Sequence, residues 1–106
     1  MKVFGWFNTK DVDALADRLV EAFVRKMPPG KLTDSTISKQ AKSHEEQIMR
    51  QAHAFMKTHP MNLYKKAHMA NRFKWALIQA SYPKWFVDEM TYALAAVVAA
   101  AGKSAK

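Results

Sequence analysis

The chain has 106 residues, 17 Lys and Arg against 9 Asp and Glu, a formal net charge of +8 and no cysteine. That length sets one domain, residues 1–106, able to bury roughly 60–65% of its unfolded surface without covalent staples. The missing cysteines exclude disulfides and thiolate-held zinc or iron–sulfur sites, and they fit a reducing cytoplasm.

Taken from the N-terminus, Met1–Lys10 holds too few apolar residues before Asp11 to form a secretory signal core. Its Val3-Phe4-Gly5-Trp6-Phe7 stretch is expected to fold as a flap over one end of the domain, since few cations accompany the aromatics. A first helix is predicted over residues 9–27. Asn8 or Thr9 opens it, Phe7 and Val12 stand where a hydrophobic staple would form, and Asp11 and Asp13 suit the positive end of the dipole. Val12, Leu15, Ala16, Leu19, Ala22 and Phe23 recur on one face before Pro28-Pro29-Gly30 ends the run.

A second helix is predicted over residues 35–59, because Pro60 blocks continuation. Its start has two readings. Asp34 or Ser35 would cap it, but Ser43 with Glu46 also makes a capping box, which would leave residues 35–42 as a separate turn. Ile48, Ala52, Phe55 and Met56 mark its buried side. The third helix, 62–81, places Leu63, Met69, Ala70, Phe73, Leu77 and Ala80 on one arc. Ser81-Tyr82-Pro83 is a short connection, so the fourth helix, 83–101, should run antiparallel to the third and stop at Gly102. Phe86, Met90, Ala93, Leu94, Val97 and Ala101 give it a core side, and residues 103–106 read as a disordered basic tail. Strand patterns and internal repeats are absent from the sequence. The apolar run Met90–Ala101 falls well short of the roughly 20 residues needed to span a bilayer. The expected fold is all-α, a compact bundle of four helices.

Charge is unevenly placed. Between Glu46 and Asp88 there is no acidic residue, and Arg50, Lys57, Lys65, Lys66, Arg72, Lys74 and Lys84 fall inside that span. On the third helix Lys65, His68 and Arg72 share one arc, with Tyr64 and Trp75 at its edge. This row of cations and aromatics is the candidate binding surface. Lysine and arginine answer phosphates or carboxylates, and Tyr or Trp can stack on bases or pack on a protein. Against it stands the first helix, whose Asp13, Asp17 and Glu21 form an acidic row that would neutralise the stripe if the two helices touch. On the fourth helix Trp85 and Tyr92, seven apart on the side opposite the core, form a second candidate interaction patch.

Chemical motifs are lacking. His44, His53, His59 and His68 are nine, six and nine residues apart, which is not the spacing of a helical zinc site. His44 and His59 fall on the apolar side of the second helix and are expected to be partly buried. There is no glycine-rich phosphate loop and no nucleophile elbow, so no catalytic residue, metal or cofactor is assigned. A helix-turn-helix reader of DNA is disfavoured, because Thr58-His59-Pro60-Met61-Asn62 has no glycine turn and leads into apolar residues. The expected function is a small non-enzymatic protein-interaction or adaptor domain that engages an acidic protein surface or associates with itself. The alternative is sequence-tolerant binding of RNA or single-stranded nucleic acid.

Overall fold

A computed structural model describes residues 8–32, 35–59 and 61–104, with only the backbone for 35–38 and 101–104. The Val3–Phe7 flap, the Phe7 staple, the Asp34 cap, the Pro60 stop and residues 105–106 of the tail lie outside the described residues. Four helices form: α1 (Lys10–Lys26), α2 (Ser35–Thr58), α3 (Leu63–Gln79) and α4 (Lys84–Ser104). No strand occurs among the described residues.

Local chemistry explains most of the boundaries. Thr9 occupies the N-cap position of α1 without a side-chain cap and donates its hydroxyl to Asp13 at 3.2 Å, while Asn8 Oδ1 accepts the Lys10 amide at 3.1 Å. After Met27 a 3₁₀ turn at Pro29–Lys31 reverses the chain. α2 is continuous from Ser35, and Ser43 and Glu46 lie within it. Asn62 caps α3 by accepting the Lys65 amide at 2.8 Å. Ser81, at φ 75, makes the left-handed turn that lets α4 fold back along α3.

One boundary differs from expectation. α4 runs to Ser104, past the expected stop at Gly102. A Schellman stop needs a left-handed residue, and among the described residues no glycine has positive φ. Gly102 therefore only weakens the helix, by about 1 kcal/mol relative to alanine.

The helices pack as two hairpins laid side by side. α1 lies against α2 and α3, and α4 lies against α2 and α3. Contacts between α1 and the α3 hairpin keep one register: Asp13 meets His68, Asp17 meets Arg72, and Met27 meets Tyr82, each 55 residues apart. A constant offset means that α1 and α3 run in the same direction. α2 and α4 also run together, with Lys42 and Glu45 near Phe86 and Glu89, and His53 near Val97.

Between the hairpins sits an aromatic core. The ring of Phe23 lies 6.1 Å from Phe73 and 5.7 Å, edge-on, from Phe86. Around them Val12, Leu15, Leu19, Ile48, Met69, Leu77 and Leu94 are buried. The α1 face forms as its periodicity predicts, whereas Leu63 departs from its expected place and is 79% exposed. Its counterpart in the 55-residue register is Asn8, ahead of the first turn of α1, so no described helix stands opposite it.

Candidate functional site

α3 and α1 are in contact, and this changes the character of the basic stripe. His68 Nε2 lies 2.7 Å from Asp13 Oδ1, with both side chains partly buried. Arg72 grips Asp17 with two hydrogen bonds, Nε to Oδ1 at 3.1 Å and Nη2 to Oδ2 at 2.9 Å. The fork matches the carboxylate, and that hydrogen bonding raises the Arg72 pKa further above its ordinary value. Two of the stripe's cationic positions are therefore answered within the chain. The acidic row of α1 does neutralise part of α3.

The remaining stripe residues divide between the two sides of this pair. Tyr64 lies near-parallel to the His68 ring at a centroid distance of 6.1 Å, and Lys65 is half-buried in the first turn of α3. Trp75 is 53% exposed. Its indole lies 6.0 Å from the Lys74 ammonium. There it enters a different surface, a groove of about 400 Å³ shared with Ile78 of α3, Lys84, Val87 and Asp88 of α4, and the edge of Tyr82. Lys84 Nζ is 2.7 Å from Asp88 Oδ2, so of the two lysines on this groove only Lys74 has no carboxylate partner among the described residues.

Ile78 and Val87 are the members that sequence reasoning did not single out. Ile78 follows Trp75 by three residues on the same face of α3, and that spacing was the available signal. Val87 required knowing how closely the hairpin folds.

Trp85 and Tyr92 are both outward, at 56% and 79% exposure, so no described helix covers them. Trp85 packs edge-on against Phe86 and lines a second groove of about 430 Å³ with Leu32, Lys42, Glu45 and Glu89. His44 of α2 is partly buried, while His59, just past the end of α2, is exposed and stacks on Phe55 at 4.1 Å, which corrects its expected burial. Among the described residues no three His, Asp or Glu side chains come together in a way that could hold a metal ion. No described helix is long and apolar enough to cross a membrane.

The chain matches no family model, no curated protein and no solved structure.

Proposed function

We propose that this chain is a non-enzymatic protein-interaction domain that docks a partner on the outward side of the α3–α4 hairpin. The observation that carries this reading is the placement of exposed apolar side chains. Among the described residues the large exposed hydrophobics Leu63, Tyr64, Trp75, Ile78, Trp85 and Tyr92 belong to α3 and α4, and Val24 of α1 is the one other. Monomeric surfaces scatter such residues, whereas a concentration on one hairpin marks a contact surface. Trp75 in a groove floored by Ile78 and Val87 has the form of an interface anchor. Lys74 beside it favours a partner segment that brings a carboxylate to an apolar surface.

The nucleic-acid alternative loses support from the pairing of His68 and Arg72 with Asp13 and Asp17, because those side chains would have to give up carboxylates to meet phosphates. The cysteine-free composition supports a reducing location such as the cytoplasm.

The test is retention from native extract, with and without nuclease, on immobilised wild-type protein and on Trp75→Ala and Ile78→Asp variants. Both substituted side chains are exposed, so the fold should survive. Expected is a nuclease-resistant protein partner retained by the wild type and lost by both variants. Retention only of nucleic acid, released steeply by salt, would favour the alternative.

A further inference from the structure

α2 and α4 leave a groove of about 520 Å³ along their seam, open to solvent. Its floor is apolar, made by Met49 of α2 with Ala93, Ala96 and Val97 of α4. Small side chains there let another helix approach closely, toward the short end of the usual 8–10 Å axial separation. The rim is polar, and its charge changes sign along the groove. Glu45 and Glu46 stand at one end, with Glu89 near Glu45, and Arg50 and His53 stand at the other. Among the described residues neither Glu46 nor Arg50 has an ion-pair partner in its own chain.

A groove with opposite charges at its two ends is complementary to itself under a half-turn about an axis lying across the helices. That operation lays α2 and α4 antiparallel on the same helices of another copy, and each acidic end then meets a basic end. The geometry points to a second copy of this chain as the occupant of the α2–α4 groove, forming a twofold dimer in which Glu46 pairs with Arg50 of the partner subunit.

Local charge is compatible with association at this face. At +8 the chain as a whole repels its copy. The seam gathers Glu45, Glu46 and Glu89, three of the chain's nine acidic residues, which lessens that repulsion where the two copies would meet. Burial and the neighbouring Glu89 and Glu46 hold the Glu45 pKa above its ordinary value, as expected of carboxylates short of cations, although Lys42 offsets part of this. The inference is independent of the Trp75 groove, which lies between α3 and α4.

Sedimentation velocity from about 5 to 500 µM tests it, across the range where a modest interface associates. The wild type should shift from monomer to dimer as concentration rises. Arg50→Glu and Glu46→Arg should each raise the dimer Kd at least about tenfold, because each places like charges opposite one another. An equimolar mixture of the two variants should restore dimer, since every rim contact then joins opposite charges. Ala96→Arg, at an exposed position in the groove, should abolish dimer while circular dichroism shows an intact helical fold. A wild type that stays monomeric throughout overturns the proposal. So does a dimer unaffected by the single variants, or a mixture of folded variants that fails to associate.

Discussion

Tyr82 shows how much one side chain can do in this fold. It sits in the short hinge between α3 and α4, is buried, stacks on Phe86 at 4.4 Å and donates its hydroxyl to the Met27 carbonyl at 2.8 Å. Met27 is the C-cap of α1, so the phenol satisfies a carbonyl that the helix leaves unpaired and ties one hairpin to the other. Burial pushes the Tyr82 pKa up to about 12. A raised folded-state pKa means that the stabilisation is complete below the unfolded value of about 10 and is lost as pH rises through the folded one. Tyr82→Phe should cost about 1–2 kcal/mol at pH 7, the penalty of leaving the carbonyl unsatisfied. Urea unfolding measured from about pH 7 to 12 should show the difference between wild type and variant shrinking above pH 10 or so. A difference that stays constant would contradict the assignment. The sequence indicated only that Ser81-Tyr82-Pro83 is a tight link. That the tyrosine reaches residue 27 is a long-range fact with no local signature.

At the scale of elements, pairing between helices separates what periodicity can and cannot reveal. The α1 stripe from Val12 to Phe23 was readable because all its members face one neighbouring surface. The acidic row of Asp13 and Asp17 was readable as a row, but its partner was not, because the 55-residue register depends on the hairpins lying side by side. Leu63 failed for a related reason: a helical wheel assigns a face and takes no account of where the opposing helix begins. α2 and α4 present the opposite case, like charges brought together by packing. Glu45 has its pKa raised first by burial and then by Glu89, so at neutral pH its charged form opposes folding. The favourable contribution of the protonated form is present below the unfolded carboxylate pKa and is lost as pH rises through the folded one. Glu45→Gln in dilute protein should therefore raise Tm by about 1–3 °C at pH 7, with the gain disappearing below about pH 4. Thermal circular dichroism at the two pH values checks this, and a lowered Tm at pH 7 would refute it.

For the whole molecule, one aromatic contact joins both hairpins. Phe23 is fully buried and touches Phe73 and Phe86, so it binds α1 to α3 and α4 at once. Phe23→Ala should cost about 3–5 kcal/mol, a large part of the roughly 5–15 kcal/mol available to a domain of this size. Tyr92→Ala, at a side chain 79% exposed, should change stability by no more than about 0.5 kcal/mol. Urea midpoints at constant m measure both. Equal losses at the two sites would mean that α4 is turned differently from the arrangement described. The contrast also bears on function, because a residue that stabilises so little while remaining large, aromatic and exposed is available for contact with another molecule.

By itself the sequence determined the class of fold, the number of helices and most of their limits. Those properties follow from local rules: proline exclusion and an apolar period of 3.6 that one helix can express alone. It also located the aromatic and charged residues on their helices. Only the tertiary structure decided which of them remain outward. His68 and Arg72 turn to carboxylates on α1, whereas Trp75, Trp85 and Tyr92 stay exposed. That division depends on how hairpins distant in sequence align, and electrostatic pairing acts through space at a few ångströms, without regard to separation along the chain.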